Sequence, residues 1–255
     1  MCIIFAAYKS HPDFDLIVAA NRDEFYGRKA APAHFWEDEP SILAGRDLEQ
    51  MGTWMGVTLS GRFAALTNYR QPNEEQENKQ SRGHIVRAFL AGQETPASFL
   101  AGLQRTRQNY RGYNLLVGDQ HSLMYYSNIE NKAKALRPGV YGLSNHFLNT
   151  PWPKVEKGKT FLHKFIAEKT SDHEKLFQLL RDSEPAREDD LPKTGVPLEL
   201  EKTLSSIFIQ SPHYGTRCST VLTISKKGHM QLIERTYPNP LKNERQYQFH
   251  IGESL

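Results

Sequence analysis

Short apolar runs recur along this chain in pairs, and only a few polar residues separate the two runs of each pair. The pairs predict hairpins at 53–67, 113–127 and 216–236, and two further strands at 2–7 and 16–20. Apolar runs of this length, bounded by turn residues, are typical of buried strands. We therefore expect sheets whose neighbouring strands are antiparallel.

Amphipathic segments lie between these pairs of strands. They predict two helices capped by Ser81 and Thr95, and two more at 153–166 and 172–180. The segment 184–197 is rich in proline and charge, which predicts an exposed loop. Antiparallel pairs with inserted helices indicate an α+β fold in which helices are layered on sheets.

The composition excludes several classes of protein. Of 255 residues, 38% are hydrophobic and 24% are charged, which is typical of a globular chain, and we expect residues 1–255 to form one domain. The net charge is only +3 and the basic residues are scattered, so we expect no nucleic-acid partner. No apolar run approaches the ~20 residues of a membrane span, so we expect no integral membrane segment. Two cysteines without a paired framework predict a reducing compartment, the cytoplasm, and the oligomeric state stays open.

Cys2 is the most reactive group that the sequence offers. A methionine aminopeptidase removes Met1 when the second residue is small, and the mature chain would then begin with a cysteine. Its α-amine, with a reference pKa of about 7.7, would lie beside its own thiol and could act as general base. The alternative is that Cys2 is a small buried residue of an edge strand.

Polar residues follow several of the predicted strands. Asn21 to Glu24 come directly after the second strand, so a hairpin would bring them near Cys2; the alternative is a solvated turn. The segments 66–70, 143–154 and 214–220 also join strand ends to hydrogen-bonding groups. Asparagine can donate to an oxyanion and arginine can hold a carboxylate, although each segment alone is more often a turn or cap.

Other signatures are missing from the sequence. There is no His pair at i, i+4 and no Cys-x-x-Cys, so we expect no metal site. No glycine-rich phosphate loop is present, which disfavours a standard nicotinamide or ATP enzyme.

A set of short motifs extends over nearly the whole chain. In order they are Met1-Cys2, Asn21-Arg22-Asp23-Glu24, Gly45-Arg46-Asp47, Gly52-Thr53-Trp54, Leu66-Thr67-Asn68-Tyr69-Arg70, Ser81-Arg82-Gly83, Tyr113-Asn114-Leu115-Leu116, Leu143-Ser144-Asn145, Trp152-Pro153-Lys154 and Tyr214-Gly215-Thr216-Arg217. Together they resemble the Transport and Golgi organisation 2 family, also called the NRDE family after its four-residue signature. Met51 and Cys218 depart from the family pattern, which usually has glycine and serine there.

This resemblance implies a four-layer αββα sandwich of the N-terminal-nucleophile hydrolase type, similar to the choloylglycine hydrolase and penicillin V acylase group. It implies that Cys2 is both nucleophile and base, that Asn145 and Asn68 are oxyanion donors, and that Arg217 is a strand-start arginine of the catalytic site. The expected binding residues are Asn21, Arg22, Asp23, Glu24, Tyr69 and Arg70.

Family members have been linked to haem mobilisation and to lipid or acyl-CoA homeostasis. The first hypothesis is therefore a haem-trafficking carrier, or a carrier of another small amphipathic ligand such as an acyl-CoA-like molecule. Haem would be cargo, with no cofactor required, and Arg22, Arg70 or Arg217 could pair its propionates. The alternative is an N-terminal cysteine amidohydrolase or thioesterase, and a weaker third hypothesis is an interaction scaffold.

Overall fold

A computed structural model describes residues 2–71, 79–238 and 242–253. In these ranges thirteen strands follow in chain order: β1 (Cys2–Tyr8), β2 (Phe14–Phe25), β3 (Ala30–Phe35), β4 (Ile42–Asp47), β5 (Met55–Thr58), β6 (Phe63–Asn68), β7 (Tyr113–Gly118), β8 (Leu123–Ser127), β9 (Lys132–Ala135), β10 (Gly139–Leu143), β11 (Tyr214–Ser225), β12 (His229–Thr236) and β13 (Glu244–His250). Five α-helices accompany them: α1 (Gly83–Ala91), α2 (Pro96–Thr106), α3 (Pro153–Ala167), α4 (His173–Leu180) and α5 (Leu198–Leu204).

The strands form two sheets in which every neighbouring pair is antiparallel. The first sheet has six strands in the order β10-β1-β2-β11-β12-β13, and the second has seven in the order β3 to β9. Because β1 and β2 lie at the centre of the first sheet, their ends are buried by neighbours on both sides. That position carries the amino-terminal residues into the interior of the molecule.

The two sheets pack face to face, and helices cover their outer faces. The core between the sheets includes Ile4, Val18 and Leu222 from the first sheet and Val57 and Leu116 from the second. Helices α1 and α2 pack on the second sheet, and α3 and α4 pack on the first. The predicted four-layer αββα sandwich is confirmed.

The alternation of side chains along the strands explains this layering. In β1, Ile4 and Ala6 face the other sheet, whereas Ile3 and Phe5 face the helices. A central strand buried on both faces needs apolar residues at consecutive positions, which is why its sequence is a continuous apolar run. Helix α3 packs closely on β1 because Gly158 has no side chain; a Cβ at this position would overlap the Phe5 ring.

Most of the predicted elements are confirmed. The hairpins at 53–67, 113–127 and 216–236 are present, and Thr95 caps α2 by accepting a hydrogen bond from the Ser98 N–H. The segment 184–197 is a largely exposed loop with one short 3-10 turn. No helix within the described residues is long and apolar enough to cross a membrane.

Two local predictions were wrong. Ser81 does not cap the first helix: Arg82 occupies the N-cap position, and no side chain caps the helix there. Residues 21–24 do not follow the second strand but lie inside it, because β2 extends to Phe25. The added length is stabilised by pairing with β1 on one side and β11 on the other.

Candidate active site

A cavity of about 320 Å³ opens at the end of the sandwich where β1 begins. Both sheets contribute to its walls, together with the segment that leads into α1. The lining residues are Cys2, Arg22, Asp23, Glu24, Arg28, Asp47, Gln50, Thr53, Trp54, Leu66, Asn68, Lys79, Gln80, Ser81, Arg82, Gly83 and Arg111. Five of the predicted site residues therefore meet at one cavity: Cys2, Arg22, Asp23, Glu24 and Asn68.

Cys2 is the first described residue and lies at the cavity wall, half-buried. Burial raises the pKa of its thiol, while the backbone N–H of Asp23 and the charge of Arg22 act in the opposite direction. The thiol therefore stays protonated at neutral pH and needs a base before it can attack a carbonyl group. Met1 lies outside the described residues.

The alternation of β2 divides the four-residue signature between two faces of its sheet. Arg22 pairs with Cys2 on one side and with Cys218 on the other, so these side chains share the face that looks toward the second sheet. Asn21 points to the helices instead. Its amide donates to the carbonyls of Leu180 (2.8 Å) and Ile207 (2.9 Å).

The Arg22 guanidinium lies over the Trp54 indole, 4.2 Å from the ring centroid. Gly45 makes room for this stack, since a Cβ there would overlap the Trp54 ring. Arg22 is only 6% exposed, yet its guanidinium forms no hydrogen bond or ion pair with any described residue. Its five N–H donors are therefore available to a molecule in the cavity.

Asp23 and Lys154 are two buried ionisable groups on the helix side of β2. The Thr216 hydroxyl donates to Asp23 at 2.7 Å, and burial raises the pKa of Asp23 to about 6. Lys154 donates to the Leu204 carbonyl at 2.7 Å, and burial lowers its pKa to about 8 while the charge of Asp23 raises it. Both groups consequently titrate near neutral pH, which is common at functional sites.

The two predicted oxyanion asparagines are in contact, but only one of them lines the cavity. Asn68 is in the cavity wall. Asn145 is fully buried behind it and donates from its amide to the Asn68 carbonyl at 2.9 Å. This arrangement makes Asn145 a support for Asn68.

Five predicted site residues lie outside the cavity lining: Asn21 and Asn145, described above, and Arg70, Tyr69 and Arg217. Arg70 forms a buried ion pair with Glu201 at 2.6 Å, and Tyr69 packs against the rings of His146 and Phe147. Arg217 donates from Nη1 to the carbonyls of Phe25 and Arg28 (2.8 and 3.0 Å), so it fastens the turn after β2.

Sequence reasoning missed several cavity residues, above all Trp54, Lys79, Arg82 and Arg111. Trp54 and Arg82 belong to two of the short motifs named above, Gly52-Thr53-Trp54 and Ser81-Arg82-Gly83. Membership of these motifs is the sequence signal that could have identified them. Lys79 and Arg111 carry no sequence signal of this kind. Within the described ranges, no group of three or more His, Cys, Asp or Glu side chains could hold a metal ion.

Comparison with known proteins supports the architecture. The family model of Transport and Golgi organisation 2 matches residues 1–239. The Transport and Golgi organization protein 2 homolog of Bos taurus is 35% identical over 264 residues, covering 92% of this chain and 93% of that protein. The Transport and Golgi organization protein 2 of Drosophila melanogaster is 28% identical, covering 92% of each.

A solved structure resembles the fold over its full length. A variant of the conjugated bile acid hydrolase from Clostridium perfringens aligns with a TM-score of 0.52 at 11% identity, covering 100% of this chain and 99% of that one. The fold is accordingly that of the N-terminal-nucleophile hydrolases.

Proposed function

We propose, since this chain belongs to the Transport and Golgi organisation 2 family, that it is a hydrolase whose nucleophile is the thiol of Cys2. One observation carries the proposal: Cys2 lies in the cavity wall beside Arg22, its pairing partner on the neighbouring strand β2. Asp23 and Asn68 belong to the same wall. The bile acid hydrolase whose fold is similar acts on conjugated bile acids, as its name states. We propose an amide or thioester as the bond that this chain cleaves.

The raised pKa of the Cys2 thiol determines the order of proton transfers. Once Met1 is removed, the α-amine of Cys2, with a reference pKa of about 7.7, takes the thiol proton as sulfur attacks the carbonyl carbon. The resulting ammonium returns that proton to the amine or thiol that leaves. Water then hydrolyses the acyl-cysteine with the amine again as base.

Asn68 lines the cavity, so its side-chain amide is the group that donates a hydrogen bond to the oxyanion in this proposal. Asn145 acts through Asn68 by holding its carbonyl. Asp23 lies beside the amino-terminal strand and supplies the negative charge that would hold an α-ammonium group in place.

The haem-carrier hypothesis stays a prediction. Haem is a flat and largely apolar ring, whereas the described cavity wall offers mainly polar groups besides Trp54 and Leu66. A hemin titration tests it, and a saturable Soret shift at micromolar hemin would support it. The cytoplasm also stays the proposed compartment, which two free cysteines support.

The test of the hydrolase uses the purified full chain and a panel of fatty-acyl amides and thioesters. We expect intact mass to show loss of Met1, and we expect saturable turnover. Cys2→Ala keeps a small second residue, so Met1 is still removed, but turnover falls by at least about 1000-fold. Cys218→Ser is the matched control and keeps turnover. Retained Met1, or turnover that survives Cys2→Ala, would contradict the proposal.

A further inference from the structure

Lys154 is a buried cation that the mechanism proposed above leaves without a role. It is only 3% exposed and lies in the first turn of α3. We infer that Lys154 is a positioning residue, which acts on the Cys2 nucleophile through the carboxylate of Asp23. The inference rests on the proposed hydrolase and adds a residue to its machinery.

A lysine is an unfavourable residue at this position. A helix begins with a partial positive charge, which repels a cation in its first turn. Burial adds a second cost, because the Lys154 ammonium loses its hydration and gains a neutral acceptor, the Leu204 carbonyl at 2.7 Å. A methionine would fill similar space without either cost. Packing therefore does not account for the charge of Lys154.

The segment that follows α5 places Lys154 on the same side of the first sheet as Asp23. At the start of this segment, the Leu204 carbonyl accepts the hydrogen bond from Lys154. Further along it, the Ile209 N–H donates to the Thr216 hydroxyl at 2.9 Å, and this hydroxyl donates to Asp23 at 2.7 Å. One short stretch of chain, 204–209, therefore joins the start of α3 to the helix-facing side of β2.

The coupling between Lys154 and Asp23 acts through charge, since Lys154 uses its hydrogen bond on a carbonyl. Buried charges are weakly screened. Burial raises the pKa of Asp23 to about 6, and the charges of Lys154 and Arg22 oppose this rise. Burial lowers the pKa of Lys154 to about 8, and the charge of Asp23 opposes this fall. Both groups are therefore charged between about pH 6 and pH 8.

Other ionisable groups that face Lys154 include Arg70, Glu201 and Cys2. Arg70 repels the ammonium, and its ion pair with Glu201 already engages that carboxylate. The Cys2 thiol is protonated at neutral pH, because burial raises its pKa. Of these groups, Asp23 is therefore the one whose negative charge balances Lys154.

The proposed mechanism needs an ionised Asp23 near neutral pH. Its negative charge holds the amino-terminal group of the mature chain beside the Cys2 thiol. Without the charge of Lys154, a larger fraction of Asp23 is protonated at pH 6 to 7, and a neutral carboxyl group attracts an ammonium group less strongly. Lys154 is not among the residues of the cavity lining, so it acts from behind the wall and extends the activity to lower pH.

Carbon-13 NMR of the full chain, labelled at its aspartate carboxyl groups, measures the coupling without any turnover. The Asp23 resonance is the one that Asp23→Asn lacks. We expect its titration midpoint near pH 6 in the wild type and at least about one pH unit higher in Lys154→Met.

Lys157→Met is the matched control for this titration. Lys157 is exposed on α3 and pairs with Asp182 and Glu184, so its removal takes the same charge from the surface of the same helix. The control should leave the Asp23 midpoint unchanged. An equal midpoint in Lys154→Met and the wild type would overturn the inference.

The pH profile of kcat separates a positioning role from a structural one. We expect Lys154→Met to lower kcat about fivefold or more at pH 6, and less than about twofold at pH 9, where Asp23 is ionised in both proteins. Lys154→Arg keeps the charge and should keep most of the kcat at pH 6. A loss of equal size at pH 6 and pH 9 would overturn the inference, because a packing defect has no such pH dependence.

The two measurements also distinguish this inference from the hydrolase proposal. An Asp23 midpoint that moves in Lys154→Met, in a protein without any turnover, would reject the hydrolase and support the coupling of Lys154 to Asp23. Turnover that Cys2→Ala abolishes, together with a midpoint that Lys154→Met leaves unchanged, would support the hydrolase and reject the role of Lys154.

Discussion

Arg22 and Arg70 are two buried arginines that each lie over a tryptophan, and they differ in what their charge meets. Arg70 lies 4.9 Å from the Trp152 ring centroid and pairs with the Glu201 carboxylate at 2.6 Å. The Arg22 guanidinium lies 4.2 Å from the Trp54 centroid and, among the described residues, has no hydrogen-bonded or ion-paired partner.

The difference separates a structural arginine from one available for binding. A buried charge is tolerated when a partner or water satisfies it. Glu201 satisfies Arg70 inside the protein, whereas Arg22 faces a cavity where solvent or a ligand must do so. Both residues were predicted to bind ligand, and the geometry favours Arg22 alone.

The largest expected effect follows from removing Arg70. Arg70→Met leaves the Glu201 carboxylate buried without its ion partner, which should lower the free energy of unfolding by about 3–5 kcal/mol. Arg22→Met removes only the stack on Trp54 and should cost about 1 kcal/mol or less. Urea denaturation measures both. The double variant Arg70→Met/Glu201→Gln should recover much of the loss, and equal losses for Arg22→Met and Arg70→Met would break the comparison.

The second effect concerns Asp23, next to Arg22, whose pKa burial raises to about 6. A raised carboxyl pKa means that the folded state holds the proton more tightly than the unfolded state. The contribution of Asp23 to the stability of the wild type therefore falls as the pH rises from about 4 through 6. Asp23→Asn lacks this titration. The free energy of unfolding of Asp23→Asn, relative to that of the wild type, should therefore rise by about 2 kcal/mol between pH 4 and pH 8. Parallel pH profiles in urea denaturation would show that Asp23 does not titrate there.

The third effect is on turnover. If Arg22 contacts the substrate or its oxyanion, Arg22→Met lowers kcat/KM about 100-fold. Arg245→Gln serves as the charge-matched control. Steady-state kinetics on a thioester that the wild type cleaves makes the measurement, and an unchanged kcat/KM would mean that Arg22 only fills space beside Trp54.

The smallest effect is expected at Arg217, which the family resemblance assigns to catalysis. Its Nη1 bonds to the Phe25 and Arg28 carbonyls are structural, so Arg217→Gln should lower stability by about 1 kcal/mol and change kcat/KM less than about threefold. A large fall in kcat with unchanged stability would restore the catalytic role.

The sequence predicted the strand pairs well because their signal is local. The apolar runs and short turns led to the pairing of β1 with β2, which places Arg22 opposite Cys2. The position of residues 21–24 was harder to predict, because a run of polar residues is typical of a turn and is rare inside a central strand. Only the neighbouring strand β11 and the cavity explain why they remain extended.

The basic residues of the cavity lining that follow residue 78 could not be predicted from local patterns. Lys79 and Arg82 are positioned by hydrogen bonds to the main-chain carbonyls of Gln108 and Gly112, and the Arg111 carbonyl accepts a hydrogen bond from the Asn128 side chain. Main-chain carbonyls accept hydrogen bonds whatever the residue type, so these contacts leave no signature in the sequence. The role of Asn145 shows the same limit. The motif identified the residue, but its hydrogen bond to the Asn68 carbonyl forms only because the end of β6 in the second sheet meets the segment after β10 in the first sheet.

The central claim is that the mature chain begins at Cys2 and that its thiol forms an acyl intermediate. Intact-protein mass spectrometry with peptide fragmentation, on full chain mixed with excess fatty-acyl thioester and quenched in acid, tests it most directly. We expect a chain without Met1 that carries one acyl group on Cys2, and no adduct in Cys2→Ala. A chain that retains Met1, or an adduct that Cys2→Ala leaves unchanged, would contradict it.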